Sequence, residues 1–260
     1  MPPSKSRIDA KQATASAVPT LLVGKHHTEA SALHGSYYQG PLMRWSNFRR
    51  AVESNFNNEK WSRRVLKHAQ ALDEEVVELG DEHGLQGRFQ QSFGTTLGHI
   101  FKFQGVEIKF ADFKSLESSY HGIPDVIMKG NGNDLKVVGE LKSPWVKEHQ
   151  LSAFYHDEQL LRRAIAQPVE YMMDLRCKYG FISTYNETIF LRQEYINGEW
   201  VIDYSPVIEG STSYVKSDPA NILEPPFVSA KQCFLYMARI ASIDGPVQNP
   251  TQKSLWIIRH

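Results

Sequence analysis

The chain has few of the features that mark secreted, membrane-spanning or zinc-binding proteins. Its 260 residues contain two cysteines, Cys177 and Cys233, which suits a reducing compartment and cannot by itself build a zinc site. No apolar run approaches the roughly 20 residues that span a bilayer. The N-terminus lacks the apolar core of a signal peptide. These absences predict an intracellular protein, cytoplasmic or nuclear, that has no membrane partner.

The sequence also lacks an excess of either charge. It carries 29 Lys and Arg residues against 29 Asp and Glu, for a net charge of zero. This balance counts against a dedicated nucleic-acid binder, so any basic surface must be local. There is no internal repeat, Walker loop or dinucleotide fingerprint, and no Ser or Cys lies in a nucleophile elbow. Acyl transfer is therefore a remote interpretation.

Length and composition allow a sizeable core. The 260 residues are 41% hydrophobic and 22% charged, as in a globular domain. Residues 1–36 are rich in Ser, Ala, Thr, Lys and Pro without a sustained period, which predicts a flexible N-terminal tail. Within it, residues 18–23 could dock as a short strand or turn. Residues 37–260 are expected to form a single domain.

A short hairpin within residues 121–142 is the most informative stretch. An apolar run, Val126–Met128, leads into Gly-Asn-Gly-Asn at 130–133, a sequence that favours positive φ and a chain reversal. A second apolar run, Val137–Leu141, follows it. Ser143-Pro144 should end the second strand, because proline cannot donate to a central ladder.

The register of this hairpin decides what its charged residues do. If the strands close symmetrically, Lys129 faces Lys136 and Asp125 lies opposite Glu140. Opposed residues share a face and lie roughly 4.5–5.5 Å apart. The two-residue period of a strand places Lys142 on that face as well. Two carboxylates and a lysine would then meet at one end of the hairpin.

Two interpretations of this cluster are open. Paired carboxylates repel unless a proton or cation lies between them, and oxygen ligands suit Mg²⁺ or Mn²⁺. Such a metal lowers the pKa of a bound water and polarises a phosphoryl oxygen, while Lys142 orients the water or offsets developing charge. The alternative is an ordinary surface hairpin whose Glu140 and Lys142 are solvated.

Helices are predicted before and after the hairpin. The first is marked by apolar residues at helical spacing, which are Leu85, Phe89, Phe93, Leu97, Ile100 and Phe101. Glu82 lies at its first turn, where a carboxylate complements the helix dipole. It is either such a cap or an extra metal ligand. A strand is expected at residues 106–114, between this helix and the hairpin.

The second helical region begins near Glu148. Pro168 interrupts it and predicts a kink or a restart. Gln167 and Tyr171 are four residues apart, so their side chains can project from one face. They are either substrate contacts or a surface Gln beside a core-edge Tyr. Arg162 and Arg163 add positive charge.

A basic aromatic segment is the candidate for phosphate contact. Residues 44–67 carry seven Lys and Arg against two Glu, a local net of +5 (7 − 2). Its apolar spacing predicts an amphipathic helix through Trp61, Val65, His68 and Leu72. Arg63 and Arg64 would then bind phosphates. A solvated helix face explains the same pattern.

Strands and a closing helix complete the prediction. Strands are expected at residues 179–184, 188–194 and 200–204, with Asn-Gly at 197–198 as a hairpin turn. A helix is expected at residues 227–240.

Pro124-Asp125 followed by Glu140-Leu141-Lys142 resembles the PD-(D/E)XK nuclease superfamily, and Gln167-Pro-Val-Glu-Tyr171 is similar to the Gln-x-x-x-Tyr motif of its RecB-type branch. The resemblance covers residues 75–195. It implies a restriction-endonuclease-like α/β fold, a mixed sheet flanked by helices with an α-β-β-β-α-β core, here with N- and C-terminal helical additions.

The resemblance also implies roles for single residues. Asp125 and Glu140 would be metal ligands, Lys142 the catalytic lysine, and Glu82, with Glu78 as the fallback, the acidic residue that many members carry on the preceding helix. Members of the RecB-type branch act on DNA ends or single strands. Residues 179–185 and 188–192 are also similar to nuclease-like regions of filamentous-fungal proteins.

These features together predict a Mg²⁺- or Mn²⁺-dependent deoxyribonuclease. Gln167, Tyr171, Arg63 and Arg64 would contact the nucleic acid. Two alternatives remain open: a nuclease-fold module without turnover that serves interaction or regulation, and an enzyme directed at RNA. Oligomeric state is left open by the sequence.

Overall fold

The computed structural model describes residues 7–29, 35–66, 75–218 and 224–259. Across these residues the α-helices are, in chain order from α1 to α7, Ala10–Ala15, Phe48–Asn58, Glu82–Phe89, Thr96–Gln104, Leu151–Phe154, Glu158–Asp174 and Ala230–Ile243. The strands are, from β1 to β14, Ile8–Asp9, Leu22–Val23, Ser36–Tyr38, Leu42–Arg44, Val65–Leu66, Glu78–Leu79, Lys109–Ala111, Val126–Lys129, Leu135–Leu141, Tyr179–Ser183, Glu187–Ile196, Glu199–Tyr204, Ile208–Glu209 and Ile257–Arg259.

The main structure is a mixed sheet of eight strands in the described residues. Seven of them follow the order β4-β12-β11-β10-β9-β8-β7, and β13 pairs with β11. Strand β9 is parallel to β10, with α6 as the crossover, and β12 is parallel to β4. The remaining pairs are antiparallel. The described chain also forms three two-stranded sheets, β1-β5, β3-β14 and β2-β6.

Helices cover both faces of the main sheet. One face packs on α3, α4 and α7 through a cluster of aromatic rings, which are Phe89, Phe93, Phe181, Phe190 and Phe234. The other face packs on α6 through aliphatic residues, among them Ile127, Val138, Ile165, Val169 and Ile182. Residues on both faces are buried, which is why the central strands are continuous apolar runs. The fold is α/β, with a mixed sheet flanked by helices.

The element order matches the expected α-β-β-β-α-β pattern over the central part of the chain. Helices α3 and α4 precede β7, β8 and β9, and α6 then leads to β10. The predicted helix before the hairpin is confirmed, and a π-helical segment, Gln90–Thr95, joins its two parts. All six of its predicted apolar residues are fully buried. Gly105 ends α4 with a φ of 64°, a left-handed conformation that glycine adopts without strain.

Residues 7–29 form ordered elements instead of the predicted flexible tail. Helix α1 has a capping box between Asp9 and Gln12, and its Ala10 and Ala13 lie in the core. Strand β2 pairs in parallel with β6, as one reading of residues 18–23 expected. Residues 1–6 and 30–34 lie outside the described part of the chain.

The predicted basic helix through Trp61 is wrong. Helix α2 ends at Asn58, Trp61 follows it with its indole N–H bonded to the carbonyl of Phe56 at 3.1 Å, and Val65 lies in β5. The pairing of β5 with β1 competes with the helix and holds this segment extended. His68 and Leu72 lie outside the described residues.

Two smaller predictions also need correction. Helix α6 runs from Glu158 to Asp174 without a restart at Pro168. Its buried face, which includes Ile165 and Val169, packs on the sheet and offsets the hydrogen bond that proline cannot donate. The strand expected at residues 106–114 is limited to Lys109–Ala111, because a 3₁₀ turn begins at Phe113.

Candidate active site

The hairpin of β8 and β9 has the predicted register at the end that carries the acidic residues. Val126 pairs with Gly139, and continuing that register by one residue places Asp125 opposite Glu140. The predicted pairing of Lys129 with Lys136 is wrong, because Lys129 pairs with Leu135 across a bulge.

The bulge lies next to the turn. Gly132 and Asn133 both have positive φ, 64° and 66°, within the 3₁₀ segment Asn131–Asn133. The shift lies on the turn side of Met128, so the register at Asp125 is unaffected.

Main-chain contacts hold Asp125 beside the end of β9. Its Oδ2 accepts a hydrogen bond from the Leu141 N–H at 2.8 Å. Its main-chain carbonyl accepts one from the amide of Gln86 on α3. Helix α3 and strand β9 therefore both fix the position of this carboxylate.

Glu140 and Lys142 form a buried ion pair. Lys142 Nζ lies 2.6 Å from Glu140 Oε1, and the two residues are 3% and 6% exposed. The Lys142 N–H bonds to the Ser183 carbonyl at 2.9 Å, which extends the β9-β10 ladder by one residue. Oε2 of Glu140 is buried and has no hydrogen-bond partner in the described residues. The surface-hairpin alternative is thus wrong for these two side chains.

Burial and neighbouring charge raise the pKa of both carboxylic acids. Burial raises the pKa of Glu140 to about 8, the Asp125 charge adds to this, and Lys142 opposes it. Burial raises the pKa of Asp125 to about 6, against the opposing effect of the Leu141 N–H. Two carboxyl groups in one poorly solvated place favour a shared proton or a cation.

Glu82 interacts with this pair through its charge. It is the exposed first residue of α3, whose N-cap Asp81 accepts from the Gly84 N–H at 2.7 Å. Its charge contributes to the raised pKa of both Asp125 and Glu140. Within the described residues, no group of three or more His, Cys, Asp or Glu side chains is arranged to hold a metal ion. The structure therefore brings two of the three expected ligands together. The fallback residue, Glu78, is exposed in β6.

Gln167 connects Lys142 to Tyr171. Its Oε1 accepts from Lys142 Nζ at 3.3 Å, and its Nε2 donates to the Tyr171 hydroxyl at 2.7 Å. Tyr171 in turn donates to the Ile123 carbonyl at 3.5 Å, on the loop before Asp125. The expectation that Gln167 and Tyr171 share one face of the helix is confirmed.

Arg63 and Arg64 lie far from this cluster. The segment that carries them packs at the end of α4, where the Ser62 N–H bonds to Gln104 Oε1 and Arg64 lies over the Phe103 ring. Glu82 is at the opposite end of this helical run, about 30 Å away at the rise of an α-helix.

Arg162 is also separate from the cluster, whereas Arg163 lies one turn before Gln167 on α6. Arg162 bonds to the main-chain carbonyls of Tyr38 and Gly40 and to Glu158, while Arg163 is exposed. Arg63, Arg64 and Arg162 therefore do not meet the acidic pair.

The structure adds a histidine that sequence reasoning missed. His149 is 1% exposed, and its Nδ1 lies 3.0 Å from the carbonyl oxygen of Ser143, next to Lys142. Burial lowers its pKa, as does the Lys142 charge. His149 lies in a short polar segment between β9 and α5. This segment has no periodic pattern of apolar residues from which the sequence could predict a buried histidine.

Comparison of the chain with protein-family models, with curated proteins and with solved structures finds no match in any of the three. Function must therefore be inferred from the residues of this chain. No helix in the described ranges is long and apolar enough to cross a membrane.

Proposed function

We propose that this chain is a Mg²⁺- or Mn²⁺-dependent deoxyribonuclease of the PD-(D/E)XK type, with a restriction-endonuclease-like fold. The observation that carries the proposal is the opposition of Asp125 and Glu140 at the hairpin end, with Lys142 bonded to Glu140. The order of helices and strands around the hairpin supports the fold.

The donor set fits a small divalent cation. Asp125 and Glu140 supply carboxylate oxygens, and Mg²⁺ typically takes one or two carboxylates and keeps several waters. The unpartnered, buried Oε2 of Glu140 and the raised pKa of both acids indicate that the single charge of Lys142 does not compensate two carboxylates. When bound, such a cation supplies Lewis acidity and a more acidic water.

The chain's own side chains supply positioning and charge. Lys142 has three N–H donors, of which contacts to Glu140 and Gln167 use two. The third is available to orient a water or to stabilise negative charge that develops on phosphoryl oxygens. Burial strengthens these interactions, because water screens them less.

A second candidate is a nuclease-fold interaction module without turnover. The distance of Arg63 and Arg64 from the cluster favours it. The intact Asp125, Glu140 and Lys142 favour the enzyme.

The test is cleavage of labelled linear, circular and single-stranded DNA, and of RNA of the same sequence, with Mg²⁺, Mn²⁺ or EDTA. We expect metal-dependent cleavage of DNA by wild type and loss of cleavage in Glu140→Gln. Glu199→Gln, the same chemical change at an exposed residue of β12, is the matched control. Cleavage of RNA alone would reassign the substrate, and a folded wild type that cleaves neither favours the interaction module.

A further inference from the structure

A cavity of about 510 Å³ lies between α6, the loop before Asp125 and the C-terminal segment. Gln167 and Tyr171 line it on the side of the catalytic lysine. Lys253 and Arg259 line it from the C-terminal segment, where β14 pairs with β3. Its volume is in the range of sites that hold a small organic group.

Gln167 belongs both to the cavity wall and to the acidic cluster. Its Oε1 contacts Lys142 and its Nε2 contacts the Tyr171 hydroxyl. The cavity wall is therefore one hydrogen bond from Lys142 Nζ. If a polymeric substrate is cleaved at the acidic pair, the part of the substrate next to the cleaved bond would lie in this cavity.

The charges of the cavity walls are balanced, which argues against a phosphate as the occupant. Lys253 Nζ lies 3.2 Å from Glu170 Oε1 and 2.8 Å from Asp174 Oδ2, and Arg259 Nη2 lies 2.6 Å from Glu170 Oε1. A phosphate that reached either cation would also meet these carboxylates. Like charges at such distances repel strongly where solvent is limited.

The same walls suit an uncharged ring with hydrogen-bonding edges. Tyr120 lies with its ring edge-on to Tyr171, 6.3 Å between centroids, and its hydroxyl donates to Asp174 at 2.8 Å. The ammonium and guanidinium groups donate hydrogen bonds, and the carboxylates accept them. Aromatic rings together with donors and acceptors are what proteins use to hold an unstacked nucleobase.

We propose that this cavity is a nucleobase subsite that takes one unstacked base of the nucleic acid, next to the phosphodiester held at Asp125, Glu140 and Lys142. Tyr120 supplies ring surface, and Lys253, Arg259 and Asp174 contact the base edge. This inference rests on the proposed nuclease function and assigns a role to the C-terminal segment.

The test uses a set of DNA oligonucleotides with one abasic position moved stepwise past the cleavage position. We expect wild type to lose about tenfold in kcat/KM when the abasic position is next to the cleaved bond, a loss typical of one base-stacking contact. Tyr120→Ala should lose a similar factor on intact DNA and become insensitive to the abasic position. Tyr195→Ala, at an exposed tyrosine of β11, should behave as wild type.

Tyr120→Phe separates stacking from loss of folding, because it keeps the ring and removes only the hydroxyl. It should keep most of the sensitivity to the abasic position. If wild type cleaves in a Glu140-dependent way but tolerates every abasic position equally, or if Tyr120→Ala keeps the abasic penalty, the subsite is wrong and the nuclease proposal stands. If wild type cleaves no nucleic acid, both are wrong.

Discussion

Lys142 Nζ lies 2.6 Å from Glu140 Oε1 and 3.3 Å from Gln167 Oε1, and Glu140 still has a raised pKa of about 8. The lysine is therefore not enough to compensate the acidic site. A buried ion pair whose carboxylic acid is hard to ionise contributes little to the stability of the fold. Groups with perturbed pKa values concentrate at functional sites.

Lys142 is expected to be irreplaceable by arginine. The planar guanidinium of Lys142→Arg presents its donors in a fixed fork and cannot reproduce one compact ammonium between Glu140 and Gln167. We expect both Lys142→Arg and Lys142→Met to lose about 10²-fold or more in kcat. Lys102→Arg, at an exposed lysine of α4, is the control. Single-turnover cleavage measures the effect, and near-normal kcat in Lys142→Arg would contradict the role given to the lysine.

The stability of the protein without added metal should fall as pH rises. The pKa of Glu140 is about 8 in the folded chain and about 4.3 when unfolded. Between these values the folded state binds more protons than the unfolded state, so the free energy of unfolding decreases with pH, by at most about 1.4 kcal/mol per pH unit for one group.

Urea denaturation between pH 5 and 8 in EDTA measures this slope. Glu140→Gln cannot lose the proton, so its free energy of unfolding should be less sensitive to pH. Glu199→Gln should keep the wild-type slope. The same slope in wild type and Glu140→Gln would show that Glu140 does not have the raised pKa.

Binding of Mn²⁺ should strengthen as pH rises. The metal and protons compete for Asp125, whose pKa is raised to about 6, and for Glu140. Calorimetric titration at pH 6 and pH 8 should show at least about tenfold tighter binding at the higher pH. Asp125→Asn and Glu140→Gln should both bind weakly. Equal affinity in Glu140→Gln and wild type would place the metal elsewhere.

Gln167 is expected to position the lysine. Gln167→Ala removes the link between Lys142 and the Tyr171 hydroxyl, so we expect about a tenfold lower kcat with a smaller change in KM. Gln167→Glu keeps an acceptor for the lysine and should recover part of the rate. Gln159→Ala, at an exposed position of the same helix, is the control. A change in KM alone would assign Gln167 to substrate binding instead.

Gly139 should tolerate no side chain. It lies opposite Phe181 on β10, and a Cβ at this position would overlap the Phe181 ring. We expect Gly139→Ala to lower the free energy of unfolding by about 1–3 kcal/mol, as overpacking does, and to disturb the adjacent Glu140. Phe181→Leu should relieve part of the clash in the double variant. Additive losses in a double-mutant cycle by urea denaturation would contradict this packing.

The parts of the fold that sequence predicted are those with strong local signals. Leu85, Phe89 and Phe93 follow a helical period that core packing reinforces, and the apolar hairpin strands fix the register that places Asp125 opposite Glu140. The sequence also paired Gln167 with Tyr171, because a four-residue spacing is a direct property of a helix.

What the sequence could not predict depends on contacts between distant segments. Val65 lies in a strand because β1, far along the chain, pairs with it. Lys253 and Arg259 reach the cavity through the pairing of β14 with β3. No local pattern encodes these two arrangements.

The central claim is most directly tested by the rate at which Asp125→Asn, Glu140→Gln and wild type cleave one labelled DNA in Mg²⁺, measured side by side with Glu199→Gln. We predict cleavage by wild type and Glu199→Gln that EDTA abolishes, and at least a 10²-fold loss in the other two variants. Cleavage at the wild-type rate by folded Asp125→Asn and Glu140→Gln would contradict the account.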